Sequence, residues 1–399
     1  MTTAAVRDRL RHAVGQQAAA APRPAAPVPE DLPPIAQILR GDWHETAEGP
    51  VFVRDDWFPL DHCHGTLPLA AALDAAPDSL AHLLGAIEAP DAARLAFFDI
   101  ETTGLAGGTG TYVVLAGLGS YEDGAFRMRQ YFLAGPAYER AMLAMLADDL
   151  GRFDGLVTYN GRAFDVPFVE ARMTLARLRA PLDRLAHFDL LHPVRRLYKH
   201  RMPGCRLADL EHRLLRFERT DDIPGSLIPS LYFDYVRAGR ASPLRGVFRH
   251  NAEDVLSLVG VLATLGRLLG GETLDPDDAA AVGRWWEHAG DTARAARLYA
   301  EALPWLEGGE DWTWVASRLA RLHKRSGERE RAVALWNELW AQGDRGAGLE
   351  LAKHFEHRAR DPRPAMEVTR ALLIRAPEAE RIALEHRFSR LLRKLAGAA

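Results

Sequence analysis

Between residues 95 and 178 the apolar positions follow two habits. Short continuous apolar runs at 95–100, 112–121, 126–133 and 155–159 have the length of buried strands, whereas 139–153 and 166–178 repeat their apolar residues at helical spacing. Glu122-Asp123-Gly124 separates the second and third runs, so they are expected to pair as an antiparallel hairpin. Three strands, a helix, a fourth strand and a helix predict an α/β domain, a mixed sheet flanked by helices. Residues 206–269 read as mostly helical. A domain over 94–270 is therefore expected, preceded at 41–93 by an ordered lead-in with aromatic and β-branched islands such as Val51-Phe52-Val53 and Trp57-Phe58 and a helix near 80–87.

Beyond Pro276 the strand pattern stops and Ala, Leu, Arg, Glu and Trp dominate. Similar short turns begin at 289, 326 and 359, which is 37 and then 33 residues apart. Each precedes a helical pattern: Ala295, Tyr299, Ala302; Ala332, Trp336, Leu339; Ala365, Thr369, Leu372. These intervals bracket the period of roughly 34 residues of tetratricopeptide repeats. Residues 275–399 thus resemble three degenerate repeats of that kind, the other reading being an unrelated helical bundle. At the opposite end, residues 1–40 are rich in Ala and Pro and are expected to be a flexible tail.

Composition narrows the class. The 399 residues carry 48% hydrophobic and 26% charged residues, as in ordinary globular protein. No apolar run is long enough to span a membrane, and no secretory signal pattern opens the chain. Cys63 and Cys205 form no metal-ligand spacing and read as reduced thiols, so a cytoplasmic location is expected. The net charge of −4 does not advertise nucleic-acid binding globally. Locally, residues 192–219 hold eight Arg and Lys against three acids, an excess of five that reads either as a nucleic-acid contact or as a solvated helix face.

The candidate chemistry lies in three acidic motifs. Phe98-Asp99-Ile100-Glu101-Thr102-Thr103-Gly104 puts Asp99 and Glu101 two residues apart at the end of an apolar strand, hence on one face. Two carboxylates at the rim of a core repel unless a cation joins them, and a hard divalent ion is the natural partner. Tyr159-Asn160-Gly161-Arg162-Ala163-Phe164-Asp165-Val166-Pro167 places Asp165 at a helix start, where an aspartate by itself would be an N-cap. His250-Asn251-Ala252-Glu253-Asp254 puts His250 and Asp254 four apart on one helix face.

Taken in order, these strings resemble the three exonuclease motifs of the DEDD superfamily of 3′–5′ exonucleases, and the second is similar to the form found in family B polymerases. The resemblance covers about residues 95–265. Within it, the segments 104–111, 188–192 and 222–225 look like the YprB-like ribonuclease-H-like family. The resemblance implies a ribonuclease-H-like fold and a two-metal-ion phosphodiester hydrolysis. It implies that Asp99 bridges two divalent cations, Mg²⁺ or Mn²⁺, that Glu101 and Asp254 hold the ion nearer the attacking water, and that Asp165 holds the other. His250 would take the proton from that water, a task that suits an imidazole. Here the chain departs from the pattern: it has histidine at the spacing to Asp254 that the superfamily uses for tyrosine, which leaves the general-base role of His250 open.

Further substrate contacts are assigned to Thr102, Gly104, Tyr159, Asn160, Arg162 and Phe164. The glycine-rich stretch 104–110 reads either as a plain connecting turn or as backbone N–H groups facing phosphate. Tyr159 reads either as a base-stacking platform or as a core side chain. Asp189, a tempting fifth acid, reads rather as a helix N-cap. Few basic residues accompany the acids in these motifs, Arg162 being the exception. The expected partner is a nucleic acid, as a single strand or a 3′ end, with a protein partner on the helical repeats. Two other functions stay open: a non-catalytic nucleic-acid-binding or scaffold protein that docks partners on its repeats, and a structure-specific endonuclease using the same metal core.

Overall fold

The computed structural model describes residues 35–86, 88–104, 110–199, 202, 204–271, 276–374 and 376–396. The chain separates into two compact units, Met1–Glu272 and Thr273–Ala399.

The first unit is built on a seven-stranded mixed sheet. In chain order its strands are β1 (Asp42–Thr46), β2 (Gly49–Pro59), β5 (Leu95–Thr102), β6 (Val113–Glu122), β7 (Ala125–Phe132), β8 (Gly155–Thr158) and β9 (Ala186–Asp189); β3 (Cys63–His64) and β4 (Leu67–Pro68) form a separate small hairpin. The spatial order is β1-β2-β7-β6-β5-β8-β9. The pairs from β1 through β5 are antiparallel, and β5–β8 and β8–β9 are parallel. β5 lies inside the sheet, and its first four residues, Leu95, Ala96, Phe97 and Phe98, are wholly buried, as a strand covered on both faces requires. The β6–β7 hairpin closes through Asp123 and Gly124, both at positive φ (51° and 75°), the conformation that a two-residue turn matched to strand twist needs.

Two expectations change. The flexible tail was expected to reach residue 40, but residues 35–39 form the short helix α1 (Ile35–Leu39), and Ile35 and Leu39 are buried in the main core. The apolar spacing of these two residues within a Pro-rich context supplies enough buried surface to order them; residues 1–34 lie outside the described residues. The lead-in is also more than a packed segment. β2 pairs with β7 from Phe52↔Phe132 to Pro59↔Ala125, so the lead-in extends the sheet itself. Its helix α2 (Pro77–Leu84) starts and ends slightly before the expected 80–87.

Helices α3 (Glu139–Leu150) and α4 (Asp165–Leu175) fall where the periodicity placed them. They are followed by α5 (Leu191–Tyr198), the one-turn α6 (Leu207–Leu210), which runs into a π-helical turn at Glu211–Leu215, then α7 (Ile228–Ala238) and α8 (Leu244–Gly270). From Val255 to Gly266 every residue of α8 is buried, the mark of a helix enclosed on all sides. α8 packs across β5 and β6, which carries its His250–Asp254 turn to the end of β5.

The second unit is all helical: α9 (Pro276–Ala289), α10 (Thr292–Ala302), α11 (Gly309–Ser326), α12 (Arg329–Ala341), α13 (Arg345–His354), α14 (Pro362–Ile374) and α15 (Glu378–Ala396). Each helix packs on the next in sequence. The three turns read from the sequence fall between α9 and α10, α11 and α12, and α13 and α14, and all nine residues assigned to the following helices are buried. No helix among the described residues is long and apolar enough to cross a membrane.

Candidate active site

The site forms where β5 outruns its neighbour. Pairing of β5 with β8 ends at Phe97↔Val157, so Asp99 and Glu101 lie beyond β8 with one side of the strand open. Asp165, the first residue of α4, fills that side: its buried carboxyl takes hydrogen bonds from its own backbone and from that of Ile100, between the two β5 acids. α8, packed on β5 and β6, brings in Asp254 and His250. Ligand atoms of Glu101, His250 and Asp254 lie within 4.8 Å of one another. His250 Nε2 is 3.5 Å from Asp254 Oδ2 and 3.7 Å from Glu101 Oε1.

The electrostatics are those of crowded like charges. Burial, then the charges of Asp254, Asp165 and Glu101, hold the Asp99 carboxyl well above the usual carboxylate range. Burial, then Asp254 and Asp165, do the same to Glu101. Burial, with Asp189 and Asp254 adding, pushes Asp165 up to about 7. Asp254 is raised chiefly by burial, with Arg219 and His250 opposing. Acids that raise one another in this way favour either a proton or a cation among them, and an oxygen-rich donor set suits a hard divalent ion.

Several residues that carry this geometry were not singled out from the sequence. Asn251 is completely buried and donates from Nδ2 to Asp99 Oδ2 at 3.0 Å; Gln130, also completely buried, donates to Asn251 Oδ1 at 2.9 Å and to the Phe248 carbonyl at 2.7 Å. Asp222 Oδ1 lies 2.7 Å from His250 Nδ1, and Arg219 Nη1 lies 3.1 Å from the same nitrogen. One tautomer cannot satisfy both. The shorter, charge-assisted contact places the proton on Nδ1, donated to Asp222, and so turns the Nε2 lone pair toward Glu101 and Asp254.

Arg219 departs from the rest of its stretch, where Arg195, Arg196, Lys199, Arg206, Arg213 and Arg216 are exposed as on a solvated face. Its side chain is only 10% exposed and pairs with Glu211 and Asp254, so the basic neighbour of the acids is Arg219. Arg162 instead donates to the His187 carbonyl at 2.7 Å. The signal in the sequence was faint: Asn251 lies inside the third motif, whereas Arg219 and Asp222 stand 35 and 32 residues before Asp254 with nothing to connect them to it.

The remaining sequence candidates make contacts of their own. Asp189 does not join the acids by contact. Its carboxylate accepts from the backbone N–H of Asn160 at 2.8 Å, Arg162 at 3.1 Å and Leu191 at 3.2 Å, a cap that also fastens the loop before Asp165. It does so from β9, a short strand that the apolar pattern did not reveal. Tyr159 donates its hydroxyl to the Cys205 carbonyl at 2.5 Å, Asn160 is exposed with φ 64°, and Phe164 stacks on Phe168 at 6.3 Å between centroids. Thr102 donates to the Gly104 carbonyl at 3.0 Å, and Thr103 pairs with Tyr112, closing the base of the glycine-rich loop. Of that loop, residues 105–109 lie outside the described residues.

A family model described as the RNase_H superfamily matches residues 96–265, the span that contains all four acids. Over 357 residues the chain is 34% identical to the uncharacterized protein YprB of Bacillus subtilis (strain 168), a match that covers 86% of each chain. The chain belongs to the YprB family. Its mixed sheet with flanking helices is the RNase H-like region, and the match to YprB takes in most of the chain, beyond that region alone.

Proposed function

We propose that this YprB relative is a metal-dependent 3′–5′ exonuclease of the DEDD kind. The observation that carries the reading is the convergence of Asp99, Glu101, Asp165 and Asp254, distant in sequence, into one cluster where Asp254, Asp165 and Glu101 raise the proton affinity of Asp99, and Asp254 also raises that of Glu101 and Asp165. The donor set fits two divalent cations, Mg²⁺ or Mn²⁺, held by these four carboxylates. When bound, such ions supply the positive charge that activates a water and stabilises the departing oxygen of a phosphodiester. The chain's own residues do the rest. Asn251 orients Asp99 through its 3.0 Å hydrogen bond. His250, its Nδ1–H held by Asp222 at 2.7 Å, presents Nε2 as the base for the attacking water. Tyr159, Asn160, Arg162, Phe164, Thr102 and Gly104 are assigned to the approach of the nucleic-acid strand. The helical unit is assigned to tetratricopeptide-like docking of a protein partner, supported by its three regularly placed turns.

The polarity is tested with 5′-labelled DNA and RNA oligonucleotides in Mn²⁺ or Mg²⁺, with free or 3′-phosphorylated ends. Stepwise shortening that the 3′-phosphate blocks is expected. Cleavage indifferent to the blocked end would replace the exonuclease reading with an endonuclease one, and no cleavage of any substrate would leave a binding protein.

A further inference from the structure

Asp254 does not stand alone in the acid cluster. Arg219 donates from Nη2 to Asp254 Oδ1, while the other oxygen, Oδ2, faces His250 Nε2 at 3.5 Å and the Glu101 group. The same guanidinium is held from behind by Glu211, with Nε at 2.8 Å from Oε2 and Nη2 at 2.5 Å from Oε1. Glu211 is buried, on the π-helical turn after α6. Its Oε1 also accepts the hydroxyl of Ser257 at 2.6 Å. Ser257 lies three residues after Asp254 on α8, so Glu211 is tied to that helix twice: directly, and through Arg219.

The chain continues into the lead-in. The Ser257 hydroxyl has one proton, and that proton goes to Glu211, so the contact of 2.8 Å with His64 Nε2 requires the imidazole to donate. His64 is buried and packs against Phe217, the ring centroids 3.9 Å apart and the planes tilted by 35°. The β3–β4 hairpin is anchored there by close backbone approach: Thr66 N–H donates to the Leu215 carbonyl at 2.8 Å, and a Cβ on Gly65, at φ 69°, would meet that same oxygen at 2.0 Å.

We infer that Arg219, locked by the buried chain Glu211–Ser257–His64, is a positioning residue that occupies one oxygen of Asp254 and aims the other at the metal-binding group. This deepens the metal-dependent reading above and rests on it. Arg219 opposes the raised proton affinity of Asp254 and Glu101, while Glu211 behind it adds the opposite charge, so the pair as a whole is neutral and removing both members leaves chiefly its geometric contribution to be read. Partners that orient metal ligands in this way are worth about 10–100-fold in metal affinity.

The charge-conserving double variant Arg219→Met/Glu211→Gln isolates that contribution, because replacing a buried ion pair by apolar or neutral groups of similar volume leaves many proteins as stable as before. Arg219→Lys is the milder second variant: it keeps the charge but lacks the fork that reaches Glu211 and Asp254 together. Mn²⁺ is titrated into the full chain, read by calorimetry and by the electron paramagnetic resonance line of bound Mn²⁺, with circular dichroism as the fold control. Both variants are expected to fold, to weaken Mn²⁺ binding at least about tenfold and to alter the bound-ion spectrum. Wild-type affinity and spectrum in either folded variant would overturn the inference, while hydrolysis by the wild-type protein would leave the nuclease reading standing. Weakened Mn²⁺ binding in the variants, together with no hydrolysis by the wild type, would do the reverse. A wild-type chain that binds no Mn²⁺ would overturn both.

Discussion

Asn251 reaches Asp99 across the sheet at the position of Gly117. A Cβ on residue 117 would lie 2.3 Å from Asn251 Oδ1 and 2.9 Å from Nδ2, so the amide that orients the first acid fits only because β6 carries no side chain there. Gly117→Ala must push Asn251 away. The expected outcome is a loss of about 1–3 kcal/mol in stability by urea unfolding, the usual cost of overpacking a filled core. Mn²⁺ affinity should fall with it. Unchanged stability and unchanged affinity would show that Asn251 does not depend on this gap.

The acid cluster gives the metal-free protein a definite pH dependence. Burial raises the folded-state pKa of Asp99, Glu101 and Asp165, with Asp165 reaching about 7. A carboxyl raised on folding binds more protons in the native state than in the unfolded one, so stability falls as pH rises from the ordinary carboxylate range to about 7. In EDTA the melting temperature is expected to be lower at pH 7.5 than at pH 5. Added Mg²⁺ or Mn²⁺ should raise it more at the higher pH. An equal response at both would contradict the shared cluster.

Asp189→Ala removes three backbone hydrogen bonds, those to Asn160, Arg162 and Leu191, without removing an assigned metal ligand. Loss of a cap of this kind costs about 1–2 kcal/mol. Because the freed loop leads directly into Asp165, hydrolysis should fall while the variant still folds. Calorimetry and a nuclease assay on the same sample check both. Full activity would mean that the loop holds its shape without Asp189.

The sequence made the middle of the fold readable for a plain reason. β5, β6, β7, α3 and α4 each bury apolar residues at their own period, and a motif riding on such an element is placed with it. Asp99 and Glu101 could be put on one face because β5 is a strand, and the four acids could be ordered because their motifs follow in register. Contacts made by irregular segments left no period to read. Arg219 and Asp222 lie between the π-helical turn and α7, and only the folded chain brings them to His250 and Asp254. β9 was missed because four residues ending in an aspartate look like a loop, β1 because its half-polar pattern belongs to the edge of the sheet, and β2 because only its Val51–Val53 stretch is buried and the rest is half-buried or exposed.

The helical unit offers an independent check. Glu356 has a fully buried side chain that accepts from Arg390 at 2.7 and 2.9 Å, Arg387 at 3.0 Å and Lys394 at 3.0 Å. The hydrogen bond from Arg390, above all, holds its pKa down at about 2. A depressed carboxylate contributes stability above its unfolded pKa and loses it as pH falls toward the folded one. Glu356→Gln is expected to cost about 1–3 kcal/mol at pH 7. The gap from wild type should narrow between pH 4.5 and pH 2. A gap that stays constant over that range would show that the charge of Glu356 is not what fastens α15.

The central claim concerns Asp99 and Asp254, and it is tested most directly by measuring hydrolysis of a 5′-labelled single strand in Mn²⁺ by the wild-type chain beside Asp99→Ala and Asp254→Asn. Both variants should retain wild-type circular dichroism and lose cleavage by about three orders of magnitude or more, in keeping with the several kcal/mol that metal-borne charge stabilisation contributes. Cleavage at the wild-type rate by both variants would contradict the account.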